Sequence, residues 1–402
     1  MGLKIEEARG ESTANVLTGA FDVRIDQPIE FYDNTLREGE QPPGVLFTPD
    51  EKLAIARALD DYGVHWANVG FPAVSKEELH AVKLITGAGL RMKTAALSRM
   101  LPSDIDATAE SGVDLISLFL GGSDTHLEHK YHLTEADAFR KVEESVAHAK
   151  RTGAIVSFSL EDGSRTPLPR IARMFQIAEE AGADYVVLAD TVGILTPASS
   201  LQIFRKLTSV CKVAVGAHFH DDLGLSLANT LAALEAGARL AHVTVNGVGE
   251  RSGNTCLEEL AVVLKLKYGR DFGFKLDRTD ALSRMVHRAS GSEPAPHKAI
   301  TGRWCFSHEA GIHVAGILAD QETYQPYPPA MVGRHHEIVF GKHSGAHGVE
   351  YLAVSNGLSL SHDASRRVLD KIKNQCSDRK GAVPDEQVLD WIRAEATKTA
   401  RD

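Results

Sequence analysis

The sequence predicts an α/β protein, a (β/α)8 TIM barrel followed by a smaller, mainly helical C-terminal region. Strand-like segments alternate with amphipathic helices eight times, over roughly the ~250 residues typical of such a barrel. The strand segments are nearly continuous Val, Ile, Leu and Ala, which is typical of parallel strands buried on both faces. Glycine repeatedly marks the turn from a helix to the next strand, as in DYGV, ESGVD, RTGA, EAGAD and EAGAR.

The predicted elements follow one another in order. The strands are 28–33, 65–71, 91–97, 113–120, 154–160, 183–190, 212–220 and 238–249. The helices are 48–63, 75–86, 103–112, 134–151, 167–181, 196–209, 223–237 and 254–269. Thr48 is placed to cap the first helix, with Pro49 at its first position and Gly63 past its end, and Ser75 is placed to cap the second. A doubly wound open sheet is the alternative fold, but no GxGxxG turn follows the first strand to support it.

The alternation stops near residue 271. The segment 271–355 is rich in Gly, His and Pro, and two amphipathic helices follow, around ASRRVLDKIKNQ and PDEQVLDWIRAEA. We therefore divide the chain into an N-terminal extension (1–27), a catalytic barrel (28–270) and a C-terminal region (271–402) with its own small core.

Composition excludes several classes of function. The net charge of -10 over 402 residues argues against a nucleic-acid or anionic-membrane partner. The four cysteines are scattered, without a CxxC pair, as expected in a reducing cytoplasm. The N-terminus lacks the features of a signal peptide, and no apolar run reaches the ~20 residues that span a bilayer. We expect a soluble cytoplasmic protein.

The motif HFHDDLG places His218 and His220 at the end of an apolar strand. Side chains two residues apart share one face of a strand, so both imidazoles project together, and imidazole is the commonest metal ligand. A pair of hydrogen-bonded strand histidines is the simpler interpretation of an HxH alone. Glu38, at the end of the first strand, is the natural third ligand because the first and eighth strands are neighbours in a closed barrel, and Asn254 can add an amide oxygen. Glu38 alone also fits a solvated carboxylate or a pair with Arg37.

The C-terminal strand ends, where such barrels build their active sites, carry many other polar residues. They include Asp33, Arg37, Glu38, Gln41, Arg99, Ser157, Ser159, Glu161, Asp190, Thr191, Asp221, Asn246, Glu250, Arg251 and Asn254. Asp33 is expected to brace its loop rather than bind metal.

Several of these motifs, taken in order, are similar to those of one family. DNTLREGEQ, FSLED, ADTVG, HFH, NGVGERSGN, HEAGIH and GKHSG resemble the isopropylmalate synthase and homocitrate synthase family, over about residues 28–350. The resemblance implies a Claisen condensation of acetyl-CoA with a 2-oxo acid, followed by thioester hydrolysis. A divalent cation (Mg, Mn or Zn) makes the ketone electrophilic, and a base removes a methyl proton from acetyl-CoA.

The resemblance also implies roles for individual residues. The metal ligands would be Glu38, His218, His220 and Asn254, and Arg37 would hold the developing oxyanion. Gln41, Ser159 and Thr191 match substrate contacts, while Asn68, Arg99 and Ser157 are expected at the same site.

Glu161 and His313 are the two candidates for the base. His313 and Tyr324 match a pair that the family delivers into the barrel of a partner subunit, which implies a homodimer.

Three positions depart from the family pattern. Asn68 replaces a glutamate usual at the end of the second strand, Ser157 replaces an arginine of some homocitrate synthases, and Ala315 replaces an acidic residue after HEAGIH. Loss of the carboxylate at Asn68 favours an acceptor with extra negative charge. We rank 2-oxoglutarate first (homocitrate synthase), 2-oxoisovalerate second, and an anionic analogue such as 3-phosphonopyruvate (2-phosphonomethylmalate synthase) third.

Three other classes are the alternatives. A metal-dependent carbon–carbon lyase or aldolase uses the same barrel, but the sequence lacks a lid motif rich in glycine and cysteine. A non-haem iron oxygenase uses the same ligand types on a different fold. A non-catalytic scaffold has no use for so many polar groups at one barrel mouth.

Overall fold

The structure is a computed structural model that describes residues 3–4, 24–378 and 380–399. The chain divides into two compact units, Ala20–Glu293 and Pro294–Asp402, and the second also includes Met1–Gly19. Most of the predicted N-terminal extension (1–27) lies outside the described residues. Within it, Leu3–Lys4 form strand β1 of the second unit. The unit that contains the barrel continues past residue 270 to Glu293.

Eight parallel strands close into a barrel in chain order, which confirms the predicted fold class and excludes the open sheet. They are β2 (Glu30–Asp33), β3 (Trp66–Asn68), β4 (Lys93–Arg99), β5 (Leu115–Gly121), β6 (Ile155–Glu161), β7 (Tyr185–Asp190), β8 (Ala214–Phe219) and β9 (Leu240–Val243). Closure pairs β2 with β9, with Tyr32 opposite His242. The loops after β2, β8 and β9 therefore meet at one end of the barrel.

Helices follow the strands of this unit. They are α1 (Thr35–Glu38), α2 (Pro49–Tyr62), α3 (Lys76–Thr86), α4 (Pro102–Glu110), α5 (Glu135–Arg151), α6 (Leu168–Glu180), α7 (Pro197–Val210), α8 (Ser226–Glu235), α9 (Leu257–Tyr268) and α10 (Thr279–Ser290). The predicted caps are confirmed: Thr48 forms a capping box with Glu51, Gly63 ends α2 at φ 103°, and Ser75 accepts a hydrogen bond from the Glu78 amide. A positive φ of this kind favours glycine, which explains why glycine recurs in the sequence where a helix ends.

The interior of the barrel is filled by large side chains rather than left as a pore. Tyr32, Trp66, Leu115, Val187 and Leu240 form one buried cluster, contributed by different strands. Such layers are the usual core of this barrel. The packed interior gives the polar residues at the strand ends a rigid base.

The second unit has its own apolar core under a small sheet. The sheet has the order β1, β11 (Glu337–Ile338), β10 (Ser307–His308). Its helices are α11 (Gly311–Ala319), α12 (Ala346–Ser355), α13 (His362–Asp378) and α14 (Asp385–Thr399). All four helices contribute to the core, for example through Ile317, Leu352, Val368 and Ile392. The two amphipathic helices predicted near the C-terminus are α13 and α14.

Two features of the whole described chain bear on its chemistry. Among the described residues, no helix is both long and apolar enough to cross a lipid bilayer. Cys211, Cys256, Cys305 and Cys376, all within the described residues, form no disulfide bond.

Candidate metal centre and active site

The loop after β2 is held rigidly by short hydrogen bonds. The Asp33 carboxylate accepts from the Thr35 amide at 2.9 Å and from the Thr35 hydroxyl at 3.0 Å. Thr35 Oγ1 in turn accepts from the Val245 amide at 2.8 Å, which ties this loop to the one after β9. Burial raises the pKa of Asp33 to about 7. Asp33 therefore braces the loop, as the sequence predicts, and its neighbour in this loop, Glu38, lies buried at the barrel mouth.

Three predicted ligands converge at this mouth. Glu38, His218 and His220 each offer one ligand atom, and these atoms all lie within 4.8 Å of one another. His218 Nε2 lies 3.5 Å from Glu38 Oε1 and 3.4 Å from His220 Nε2. Ligand atoms that share an ion at about 2.1 Å lie roughly 3–3.4 Å apart. These two distances therefore fit a shared divalent cation.

Unsatisfied buried atoms also fit a cation at this place. Glu38 Oε2 and Asn254 Oδ1 are buried without a hydrogen-bond partner among the described residues. Buried polar groups normally have partners, and leaving one unpaired costs about 1–3 kcal/mol. A metal ion bound by such electron-pair donors supplies the partner that they lack in the protein.

Asn254 is placed beside the triad by the loop after β9. Its Nδ2 lies 3.4 Å from His218 Nε2 and donates to the Phe219 carbonyl at 3.3 Å. A side chain at Gly249 would collide with Asn254 Oδ1, so the glycine of this motif makes room for the amide.

The imidazoles at the site are held in a form suited to ligation. Burial lowers the pKa of His218 well below its ordinary value, and burial likewise lowers the pKa of His220. A metal takes the neutral imidazole, so neither ring has to lose a proton before it binds.

Arg37 lies next to the triad. It forms an ion pair with Glu38 Oε1, and its Nη2 donates to Asn34 Oδ1 at 3.2 Å. Its Nε is buried without a partner among the described residues. One donor of a permanently charged group therefore remains free beside the candidate ion.

These residues border a cavity of about 320 Å³ at the barrel mouth. Nine predicted site residues line it: Arg37, Glu38, Gln41, Asn68, Ser159, Glu161, Thr191, His218 and His220. Apolar walls come from Phe71, Leu97 and Phe119. A mostly preformed concave site with a few converging polar groups is typical of a small-molecule site.

Glu161 is held by a segment that sequence reasoning did not single out. Residues His126–Tyr131 form a π-helical turn after β5. Lys130 Nζ donates to both Glu161 oxygens, at 2.6 and 2.8 Å, and the Tyr131 hydroxyl donates at 2.8 Å. Burial and the Glu161 charge raise the pKa of Tyr131, so the phenol stays a donor. π-helical turns are rare and frequently lie at functional sites.

Two predicted substrate contacts do not line the cavity. Arg99 is half-exposed and forms an ion pair with Asp104 at the start of α4. Ser157 is buried below Ser159 on β6, opposite Ser117 on β5. Their roles in substrate binding stay predictions.

His313 and Tyr324 both belong to the second unit and form a pair there. Their ring centroids lie 4.4 Å apart, and both side chains are exposed. His313 lies in the first turn of α11, and Ile312 beside it is 79% exposed. The structure thus presents the pair on the surface of its own unit.

His242 is a second residue that the sequence analysis missed. It lines the cavity from β9, and its Nδ1 lies 3.3 Å from His218 Nδ1. Burial lowers the pKa of His242 well below its ordinary value. The sequence signal for His242 was a histidine inside an otherwise apolar barrel strand. Lys130 had no such signal, because a π-helical turn has no distinctive sequence pattern.

Family models match most of the chain. A model described as HMGL-like matches residues 28–286, and a model described as homocitrate synthase post-HMGL domain-like matches residues 300–380. The chain belongs to the HMGL-like family. The family predicted from the motifs is confirmed.

Curated relatives of this HMGL-like protein are synthases. It is 42% identical over 371 residues to homocitrate synthase AksA of Methanopyrus kandleri, covering 92% of this chain and 93% of the relative. It is 43% identical to a probable 2-isopropylmalate synthase of Ignicoccus hospitalis, covering 87% and 88%. It is 40% identical to (R)-citramalate synthase CimA of Methanocaldococcus jannaschii, covering 91% and 74%. The chain is thus an enzyme of the acetyl-CoA-condensing synthase family, as the sequence predicts.

Solved structures show the same barrel at much lower identity. An HMG-CoA lyase from Bacillus subtilis superposes with a TM-score of 0.62 at 19% identity, covering 68% of this chain and 97% of that chain. An HMG-CoA lyase from Acinetobacter baumannii, solved with coenzyme A and 3-methylmalate, superposes with a TM-score of 0.60 at 22% identity, covering 66% of this chain and 92% of that chain. At these identities the likeness concerns the fold alone.

We predict that Glu38→Gln and His220→Ala each weaken Mn²⁺ binding by at least about 100-fold, because the first removes the negative charge of a ligand and the second removes an imidazole ligand. Calorimetric titration of the protein with Mn²⁺ measures this effect. His148→Ala is the control, since His148 contacts Asp106 on the surface. Stoichiometric, wild-type Mn²⁺ binding by both ligand variants would show that the triad does not hold the ion.

Proposed function

We propose that this protein is a homocitrate synthase-like enzyme, which condenses acetyl-CoA with 2-oxoglutarate and hydrolyses the thioester to release CoA. The observation that carries the proposal is the convergence of Glu38, His218 and His220 beside a cavity of about 320 Å³. Curated relatives with homocitrate synthase names, at about 40% identity over most of both chains, support it.

Glu38, His218 and His220 hold the cation in this proposal, with Asn254 as a fourth ligand. The amide nitrogen of Asn254 faces His218, so its oxygen takes that place after a half-turn of the amide. Two imidazoles with oxygen donors suit Mn²⁺ or Zn²⁺, and Mg²⁺ is the alternative among hard cations. The cation supplies Lewis acidity at the ketone of the acceptor.

Arg37 stabilises the negative charge that develops on the acceptor oxygen during carbon–carbon bond formation. Its buried Nε has no protein partner among the described residues, and its ion pair with Glu38 fixes the guanidinium at the site. A donor that is already in place costs no reorganisation during the reaction.

Glu161 and His313 remain the two candidates for the base that takes the methyl proton of acetyl-CoA. Glu161 lines the cavity and accepts three hydrogen bonds from Lys130 and Tyr131. A carboxylate offers about four lone-pair sites, so one remains for a proton. The three donors also fix the direction of that site. His313 is the alternative, with Tyr324 packed against it.

Lys130 is the residue that recognises a second anionic group on the acceptor. Arg37 and Lys130 are the cations that line the cavity, and Arg37 is already paired with Glu38. Lys130 is 45% exposed and can bond an incoming carboxylate while it stays near Glu161. Asn68 is neutral and donates to Asn34 Oδ1 at 3.2 Å, so this part of the cavity wall does not repel an anionic acceptor. These features support a dianionic acceptor.

We also propose a homodimer in which His313 and Tyr324 complete the active site of the partner subunit. The pair is exposed, and the adjacent Ile312 exposes a large apolar side chain, as expected for residues that become buried on assembly. The motif resemblance of HEAGIH supports the same arrangement.

2-Isopropylmalate synthase activity with 2-oxoisovalerate is the second candidate, supported by the relative from Ignicoccus hospitalis and by the apolar side chains of Phe71, Leu97 and Phe119 in the cavity. A synthase for 3-phosphonopyruvate is the third, since that acceptor also carries a second anionic group. A lyase that cleaves rather than condenses is the alternative reaction class.

We predict that, with acetyl-CoA and Mn²⁺ or Mg²⁺, CoA is released fastest with a dianionic acceptor, 2-oxoglutarate first. Free thiol measured over a panel of 2-oxoglutarate, 2-oxoisovalerate, pyruvate and 3-phosphonopyruvate tests this order. A clear preference for 2-oxoisovalerate would overturn the acceptor, and cleavage of a 3-hydroxyacyl-CoA without any condensation would overturn the class.

We predict that Lys130→Met lowers kcat/KM for 2-oxoglutarate about 10-fold more than for 2-oxoisovalerate, because a lost charged hydrogen bond costs about 1.5 kcal/mol. Lys206→Met, on the exposed face of α7, is the matched control. Lys130→Arg restores the charge and part of the preference. An equal loss with both acceptors would mean that Lys130 acts only through Glu161.

We predict that Arg37→Ala and His313→Ala are each inactive alone and recover activity when mixed. Random exchange of subunits makes half of the dimers mixed, with one subunit of each variant. One of the two active sites in a mixed dimer then has both Arg37 and His313, so about a quarter of wild-type activity returns. Mixing Arg37→Ala with His220→Ala, both in the barrel, is the control and stays inactive. Failure of the first mixture to recover would place His313 in the site of its own chain.

A further inference from the structure

His242 is a buried side chain with one satisfied and one unsatisfied ring nitrogen. It is 5% exposed, and its ring stacks on Tyr32 with centroids 4.2 Å apart and planes 11° apart. Its Nδ1 lies 3.3 Å from His218 Nδ1. Its Nε2 is buried and has no hydrogen-bond partner among the described residues. Nothing in the reaction proposed above uses this ring.

The facing Nδ1 atoms of His218 and His242 determine which nitrogen of each ring carries the proton. His218 Nε2 points to Glu38 and His220, so it is the nitrogen that binds an ion and must carry a lone pair. The proton of a neutral His218 then sits on Nδ1. Among the described residues it has one neighbour within hydrogen-bond distance, His242 Nδ1, which must accept it. His242 therefore carries its own proton on Nε2.

We propose that His242 is a positioning residue that holds His218 in the Nδ1–H tautomer and in the ring orientation that ligation requires. This inference rests on the proposed metal site. The stack on Tyr32 fixes the plane of His242, and the bond between the two Nδ1 atoms passes that constraint to His218. The unused nitrogen of a ligating histidine is commonly held in this way by a carboxylate or a carbonyl.

A neutral imidazole in that position has an electrostatic consequence. A carboxylate acceptor would push electron density toward the ligand, whereas a neutral ring does so less. The ion then keeps more of its charge for the ketone that it polarises. The same tautomer leaves His242 Nε2–H as an unpaired donor on a side chain that lines the cavity.

Two variants separate positioning from packing. His242→Phe keeps the stack on Tyr32 and removes both nitrogens, so we expect Mn²⁺ affinity to fall 10–100-fold, the usual cost of losing such a partner. His242→Asn loses the ring but places Oδ1 where Nδ1 was, so the acceptor for His218 returns and Mn²⁺ affinity stays near wild type. The lost Nε2 donor then shows only as a higher KM for the 2-oxo acid.

The measurement is calorimetric titration of the full-length protein with Mn²⁺ alone, with circular dichroism to confirm that each variant is folded. His65→Phe is the matched control, because His65 lies before β3 at the opposite end of the barrel, among Phe31, Phe272 and Phe274. Its affinity for Mn²⁺ is expected to equal that of wild type.

The outcomes are distinct. Wild-type Mn²⁺ affinity in His242→Phe overturns the positioning role and leaves the metal site and proposed reaction standing. An equal loss in His242→Phe and His242→Asn also overturns it, because only packing then explains the loss. Absence of Mn²⁺ binding by the wild-type protein overturns the metal site itself and this inference with it.

Discussion

The candidate site depends on a set of buried electron-pair donors that the closed barrel forces together. Because β2 pairs with β9 and β8 is the next strand, Glu38 and the two histidines of β8 and its loop share one small volume. Glu38 Oε2 has no protein partner among the described residues, and leaving such a buried atom unpaired costs about 1–3 kcal/mol. A cation bound there only by the folded chain would remove this cost and stabilise the fold. Binding and stability would then be coupled at the barrel mouth.

Most of the barrel was predictable because its local signals agree. Caps such as Thr48, helix stops such as Gly63 and apolar strands all indicate the same eight units, and tertiary packing reinforces each of them. Helices α10, α11 and α12 were not predicted. Helix α11 begins at Gly311, has no side-chain cap and contains Gly316, so its own propensity is poor. It forms because Val314 and Ile317 pack into the core of the second unit, and a single sequence does not show such packing.

The site was predictable to the extent that strand ends determine it. The convergence of Glu38, His218 and His220 could be predicted because side chains at the C-terminal ends of barrel strands face the mouth of the barrel. Arg99 could not be placed, because a long flexible side chain goes to its nearest counter-charge, here Asp104. Lys130 reaches the cavity from a π-helical turn that ends at His132 with φ 52°, a geometry without a sequence signature.

The reaction class and the acceptor are set by energies of different size. Relatives that are 40–43% identical to this chain carry three different synthase names, so overall similarity does not determine the acceptor. A tenfold preference between two acceptors needs about 1.4 kcal/mol, which one charged hydrogen bond supplies. In the proposed reaction, Glu38, His218 and His220 hold the cation that binds a 2-oxo acid by its ketone. In the same proposal, the cavity wall formed by Lys130, Glu161 and Asn68 selects the second group that the acid carries. A change at one of these positions would then alter the substrate while the barrel and the metal site stay the same.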